Sequence, residues 1–280
     1  MNCRWTAYSN RSDVLFSSSG SCLSFTFGGG FVDCVRMSDT LVVNEIYLSL
    51  QGESTFAGLP CVFVRLTACN LRCSYCDTAY AFTEGSPRHL PEIVQEVRAI
   101  AAKYSPQTTA SHLPLVELTG GEPLLQRNSL RLMRELCDLG FTVLVETSGA
   151  LDISQVDPRV RRIMDLKCPS SGESARNRIE NIAHLKSTDE VKFVIGTRED
   201  YEWAKQKLAE HNLPRVCPIL FSWVSPLQKE QQHPSLKAVP ADHHPISRLE
   251  LVESIIVDAL PVRFQLQMHK FIWQPEQRGV

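Results

Sequence analysis

Cys69, Cys73 and Cys76 stand within eight residues, in the run Cys69-Asn-Leu-Arg-Cys73-Ser-Tyr-Cys76. Three thiolates in one loop point to a metal. A closed structural zinc site takes four ligands, and no Cys or His stands at a matching distance to complete one. His89 lies 13 residues on, past Pro87, and reads as a loop residue. An electron-carrying 4Fe-4S cluster also takes four thiolates. Three cysteines on a four-iron cluster would leave one iron open, and an open coordination position marks a metal that does chemistry. A second constellation, Gly120-Gly121-Glu122-Pro123, combines two glycines that let backbone approach a ligand closely with a carboxylate able to pair an ammonium group. On its own that run also suits an ordinary turn.

These residues need elements to hold them. Short apolar runs predict buried strands at Cys61–Leu66, Leu115–Leu118, Phe141–Val145, Ile163–Leu166, Val191–Ile195, Pro218–Phe221 and Val262–Leu266. Helical patterns lie between them at Pro91–Tyr104, Leu130–Leu139, Glu199–His211 and Ser247–Leu260, with Gly140 as a C-cap. Alternating strands and helices predict one α/β domain with a mostly parallel sheet, open or curled into a partial barrel. The unusual residues fall just after strands: Cys69–Thr78, Thr119–Pro123, Glu146–Gly149, Asp165-Leu166-Lys167 and Phe221–Trp223. Ligands bind at the carboxyl ends of parallel strands, so these loops should converge on one site.

Composition excludes several classes. The 280 residues carry 29 Lys+Arg against 31 Asp+Glu, which argues against a sequence-independent nucleic-acid binder. With 43% hydrophobic residues the chain is an ordinary globular protein, and no apolar run approaches the ~18–20 residues that span a bilayer. Of the ten cysteines, Cys3, Cys22, Cys34, Cys61, Cys137, Cys168 and Cys217 are scattered and read as small buried hydrophobes. Cys168 sits in an expected site loop without a role. Residues 1–36 hold seven Ser, the run Gly28-Gly29-Gly30, and neither Lys nor Glu. They read as an extension outside the fold, either faintly like a transit peptide or an over-long reading frame before Met37, leaving 37–280 as the folded domain.

Cys-x-x-x-Cys-x-x-Cys with an aromatic residue before the last Cys resembles the radical S-adenosylmethionine (SAM) enzymes, and Gly120-Gly121-Glu122 stands where that superfamily has its Gly-Gly-Glu loop. The likeness narrows further. Asn44–Glu53, Phe63–Leu66, Cys69–Cys73, Cys76–Thr78, Thr119–Pro123, Glu146–Gly149, Asp165–Glu173, Lys192–Ile195 and Leu260–Trp273 together resemble the 7-carboxy-7-deazaguanine synthase family over essentially the whole domain. That resemblance implies a radical SAM core in a partial, TIM-like barrel. It also implies a carbon–nitrogen lyase that contracts the ring of 6-carboxy-5,6,7,8-tetrahydropterin to 7-carboxy-7-deazaguanine with loss of ammonia, a step toward queuosine-type tRNA modification.

Residue roles follow from the resemblance. Cys69, Cys73 and Cys76 would hold the 4Fe-4S cluster, and Thr78 a Mg²⁺ ion, which commonly keeps waters and few protein ligands. Tyr75, Cys76, Asp77, Gly121, Glu122, Ser148 and Lys167 would line the SAM site. Leu50, Gln51, Gly52, Glu53, Arg65 and Thr119 would hold the pterin, Arg65 taking its carboxylate in bidentate fashion. His269 is a further substrate candidate, with a surface position on a terminal strand as the alternative. No side-chain acid or base is assigned, since the reactive species comes from SAM. The family also implies a homodimer and a flavodoxin-like or ferredoxin-like reducing partner, and an oxygen-labile cluster implies a reducing compartment, the cytoplasm. Neither nucleic acid nor membrane is an expected partner.

The departures are Ser54 in place of the commoner Gly, Tyr75 for Trp and Ser148 for Asn; the stretch Phe221–Pro226 and the tail Gln274–Val280 do not map. Two rivals remain at this point. A glycyl-radical-enzyme activase shares the cysteine spacing but gives no reason for Gln51-Gly52-Glu53 or Arg65. A non-catalytic iron–sulfur or zinc protein would need a fourth cysteine near the cluster.

Overall fold

The computed structural model describes residues 26–27, 30–31, 39–104, 114–274 and 277–280. The chain divides into two compact units, 1–39 and 40–280. In the first, β1 (Thr26–Phe27) and β2 (Gly30–Phe31) pair antiparallel. The rest of the expected 1–36 extension lies outside the described residues.

The second unit is a nine-stranded sheet flanked by helices. Its strands are β3 (Thr40–Leu50), β4 (Pro60–Leu66), β5 (Ser86–His89), β6 (Leu115–Gly120), β7 (Val143–Thr147), β8 (Arg161–Asp165), β9 (Glu190–Ile195), β10 (Ile219–Trp223) and β11 (Arg263–Gln265). They run in the order β11-β10-β9-β8-β7-β6-β4-β3-β5, so the sheet ends at β5 and β11 and is not closed. From β4 to β11 every pairing is parallel, whereas β3 pairs antiparallel with β4 and β5. The mostly parallel sheet that the alternating pattern predicts is thus present and unclosed. The helices are α1 (Leu90–Ala101), α2 (Asn128–Asp138), α3 (Arg198–Glu210), α4 (Arg248–Val257) and α5 (His269–Ile272). Among the described residues, no helix is long and apolar enough to cross a membrane.

Alternation along the strands sorts the side chains into two layers. Val62, Val64, Leu66, Val116, Leu118, Val143, Val145, Met164, Val191, Phe193 and Ile195 pack outward with Ile93, Val97, Leu132, Met133, Leu136 and Tyr201 of the helices in one continuous core. Burial of each large apolar side chain there contributes roughly 1.5–3 kcal/mol. The inward set begins apolar: Cys61, Phe63, Leu115, Leu144 and Ile163 form a separate cluster covered by Tyr47, Phe56 and Leu59. One step further along the same strands the inward residues turn polar, to Arg65, Glu117, Thr119, Glu146, Asp165 and Lys192. Both faces are therefore buried, which is why these strands read as nearly unbroken apolar runs.

Three elements depart from the expected pattern. β3 is eleven residues long yet gives no apolar run, because as an antiparallel strand it is only half-buried over most of its length. β5, Ser-Pro-Arg-His, is an edge strand, where a proline that cannot donate to the ladder is tolerated. His269 does not extend a terminal strand; β11 stops at Gln265 and His269 opens the short helix α5.

Candidate active site

One cavity of about 570 Å³ lies at the carboxyl ends of the parallel strands, a size suited to small molecules. Cys69, Cys73, Tyr75, Cys76, Asp77, Thr78, Gly121, Ser148 and Lys167 line it. So do Leu50, Gln51, Gly52, Glu53, Arg65, Thr119 and His269. The three loops expected to converge do so, with Asp165 and Lys167 at the end of β8, whereas Phe221–Trp223, expected beside them, do not line the cavity.

The cysteine loop leaves β4 through Ala68, which adopts φ +79°. Backbone bonds then tie its root to the glycine loop: Gly121 N–H donates to Leu66 O at 3.1 Å and Glu122 N–H to Ala68 O at 2.8 Å. A Cβ at Gly121 would stand 2.1 Å from Ala68 O and 2.8 Å from Cys69 Cβ, so only glycine lets the two loops touch. The far side is braced by the loop after β8, where Ser171 O accepts from Ser74 N–H at 3.1 Å and Glu173 from Arg72 N–H at 2.7 Å.

Burial pushes all three thiols up, Cys73 to about 12. Cluster assembly must therefore displace bound protons. The Leu71 N–H already points at Cys69 Sγ at 3.4 Å. Cys61, Cys137, Cys168 and Cys217 do not line the cavity, so among the described residues no fourth cysteine joins the loop. Among the described residues, no three His, Cys, Asp or Glu side chains are gathered tightly enough for a single metal ion. Three thiols opening on one cavity suit a multi-iron cluster with one open iron. Cys168 is a buried core residue, with its thiol 3.8 Å from Leu166 O.

Glu122 stands apart from the other residues expected at the SAM site. It does not line the cavity and is fully buried. Its carboxylate accepts from Leu124 N–H (3.1 Å), Thr147 Oγ1 (2.9 Å), Ser148 N–H (2.8 Å) and Ser148 Oγ (2.6 Å). These four donors, three of them from Thr147 and Ser148, tie its carboxylate to that loop. Asp77 and Lys167 do line the cavity but arrive paired. Burial alone would raise the Asp77 carboxyl, yet the Lys270 ammonium 2.6 Å away outweighs it and holds the group at about 2. Lys167 lies 2.6 Å from Asp165, which keeps it charged against the opposing effect of burial, and 5.8 Å from the centre of the Tyr75 ring.

On the pterin-candidate side, Arg65 donates through Nε to Glu45 at 2.7 Å and through Nη2 to the Tyr47 hydroxyl at 2.7 Å. Gln51 accepts from Glu53 N–H at 2.8 Å and donates its Nε2 to Glu117. Glu53 accepts from Lys192 at 3.0 Å and Gln267 at 3.1 Å, and Lys192 also contacts Glu146. Attraction to Lys192 overcomes the effect of burial and lowers the Glu53 carboxyl. Gly52 gives His269 its place: a Cβ there would meet Nδ1 at 2.6 Å. Burial lowers the His269 imidazole, so it stays neutral at pH 7.

Sequence reasoning assigned no role to Glu117, Glu146, Asp165 or Lys192, nor to Gln267 and Lys270. A signal existed for the first four: ionisable residues inside strands that otherwise read as buried apolar runs. The unmapped tail also reaches the cavity through Gln274 and residues 277–280. There Arg278 pairs with Glu84 at 2.6 Å and lies 3.9 Å from the centre of the Tyr80 ring.

The fold and the cysteine-bearing cavity define an iron–sulfur enzyme core, and residues 64–217 match the Radical SAM superfamily. Membership of that superfamily implies a 4Fe-4S cluster and SAM. The chain is 43% identical over 240 residues to a 7-carboxy-7-deazaguanine synthase of Koribacter versatilis, covering 85% of this chain and 99% of the relative. It is 42% identical over 243 residues to the synthase of Chlorobaculum tepidum, covering 86% and 97%. Among solved structures, QueE from Escherichia coli superposes with a TM-score of 0.58 at 22% identity, over 82% of this chain and 95% of that one, a likeness of fold. The chain belongs to the 7-carboxy-7-deazaguanine synthase family and is an enzyme of that kind.

Proposed function

We propose that this cavity converts 6-carboxy-5,6,7,8-tetrahydropterin to 7-carboxy-7-deazaguanine with release of ammonia, using a 4Fe-4S cluster on Cys69, Cys73 and Cys76, SAM and Mg²⁺. The observation that carries the reading is that the cysteine loop and the set Gln51, Glu53, Arg65, Thr119 and His269 open on one cavity. When bound, the cluster and SAM supply a carbon radical that starts the rearrangement. The chain's own work is to hold the pterin against that centre. Glu53 and Gln51 offer carboxylate and amide groups to the polar edge of a pterin, where buried hydrogen bonds discriminate most strongly. Arg65, anchored by Glu45 and Tyr47, presents its guanidinium to the substrate carboxylate. Tyr75, Gly121, Ser148 and Lys167 serve the SAM side, Gly121 because its missing Cβ lets the two loops close up. Asp77 fixes the end of the cysteine loop to Lys270.

Thr78 is the Mg²⁺ ligand in this reading. Its hydroxyl lines the cavity 3.8 Å from Cys76 Sγ, and Mg²⁺ completes its shell with waters and substrate oxygens. Exposed Leu249, Ile256 and Val257 on α4 support a homodimer. A flavodoxin-like or ferredoxin-like donor reduces the cluster, in the cytoplasm, where reducing conditions preserve it.

The test is an anaerobic assay of the reconstituted protein with dithionite, SAM, Mg²⁺ and 6-carboxytetrahydropterin, read by mass spectrometry. 7-Carboxy-7-deazaguanine should form and disappear in Cys73→Ala. If 5′-deoxyadenosine forms without that product, the substrate assignment falls; if neither forms at full iron content, the catalytic reading falls.

A further inference from the structure

Glu117 is an inward residue of β6, two positions before Thr119, and its neighbours across the sheet are Phe63 and Leu144. Leu115, Phe63 and Leu144 form an apolar layer beside it. A carboxyl that is only 1% exposed must recover its desolvation through hydrogen bonding. The partner it takes is the Nε2 of Gln51. Gln51 Oε1 accepts from Glu53 N–H at 2.8 Å, so the amide is held at both ends. Glu53 is fixed in turn by Lys192 and Gln267.

We propose that Glu117 is a positioning residue of the substrate site, acting through Gln51 to set the orientation of the Gln51-Gly52-Glu53 loop. This rests on the assignment of that loop to the pterin. The loop needs such an anchor: the next residue, Ser54, sits at φ +65°, a conformation that L side chains adopt at a cost. A rigid parallel strand supplies the fixed point.

The groups facing Glu117 are Glu146, Lys192, Glu53 and Arg65, with Tyr47 and the Cys61 thiol beside them. Burial, then the Glu146 carboxylate, push its pKa well above the ordinary carboxylate range, against Lys192 and Arg65. Glu117 therefore holds its proton to higher pH than an ordinary carboxylate, and it accepts from Gln51. As pH rises it ionises and adds negative charge beside Glu53 and Glu146, so affinity for a carboxylate-bearing pterin falls on the alkaline side.

The experiment compares Glu117→Leu, Glu117→Gln, Gln51→Ala and Glu53→Ala in the reconstituted enzyme. It measures calorimetric pterin binding without reductant, KM and kcat across pH, iron content and the melting curve. Loss of the acceptor in Glu117→Leu should raise Kd and KM about tenfold, the scale of one buried hydrogen bond, with kcat changed less than about threefold. Glu117→Gln keeps an acceptor oxygen; it should restore most of that affinity at neutral pH and remove the alkaline weakening. Wild-type binding by Glu117→Leu, or a Glu117→Gln that binds as poorly as Glu117→Leu, overturns the proposal. If Glu117→Leu does not fold, the pH profile of Glu117→Gln decides, and an unchanged alkaline limb overturns it. Weakened binding in Gln51→Ala and Glu53→Ala with both Glu117 variants normal sinks this inference alone. Normal binding in all four variants sinks the pterin assignment itself.

Discussion

The Cys69–Cys76 loop and the charged interior of the sheet share one cavity but are held in different ways. The loop is fixed mainly by backbone: Ala68 to Ala81, Cys76 to Cys73, Ser74 to Ser171 and Glu122 to Ala68. The interior is fixed by side chains from distant strands, with 139 residues separating Glu53 from Lys192, 66 separating Gln51 from Glu117 and 46 separating Glu146 from Lys192. A loop held by its own backbone can present thiols whose spacing is already written in the chain. A ring of buried charges exists only once strand order has brought β4, β6, β7 and β9 together, and it is intact only while every member has its partner.

Four changes separate the two regions, from the largest effect to the smallest. Cys73→Ala should abolish the cluster and with it all activity, while the far interior stays folded. Iron analysis and circular dichroism together check this, and a variant that keeps full iron would break the division. Lys192→Met leaves Glu53 and Glu146 without their shared ammonium at a site where the lysine is 4% exposed. It should cost about 3–5 kcal/mol in urea unfolding, the usual penalty for removing one member of a buried charge group. Gly121→Ala drives a Cβ into Ala68 O and should cost about 2–3 kcal/mol and lower iron content, since it pries the cysteine loop from the glycine loop. Unchanged iron in this variant would show that the two loops are independent.

Asp77→Asn is the smallest change. The folded-state Asp77 pKa is depressed to about 2 from 3.8, so its contribution is present above about 3.8 and lost as pH falls through about 2. The pair with Lys270 should therefore contribute about 2 kcal/mol at neutral pH. Asp77→Asn removes that amount and flattens the acid limb of stability between those two values. Equilibrium unfolding of both proteins at pH 7, 4 and 2 checks it.

The strands β4 and β6 to β9 were legible because burial on both faces leaves apolar runs, and the helices because Leu132, Met133 and Leu136 or Ile93, Val94 and Val97 recur at helical spacing. β3 was not legible, since a half-buried antiparallel strand carries no such run, and Pro87 argued against β5. In the site, the cysteines, Gly121 and the Gln51-Gly52-Glu53 loop could be named from the chain. The enclosure of Glu122 was not legible, because its spacing beside the glycines says nothing of the four donors around it.

The sequence by itself determined the three-thiol loop, the glycine contact that admits it and the alternation of strand and helix, because each depends on residues within a few positions of one another. Only the tertiary structure decided that Glu117, Glu146 and Lys192 face the cavity, that His269 packs on Gly52 from a helix, and that Asp77 is neutralised by Lys270. Those outcomes depend on which strands are neighbours and which side of each faces inward. Strand order is set by the packing of the whole sheet and by no local run of residues.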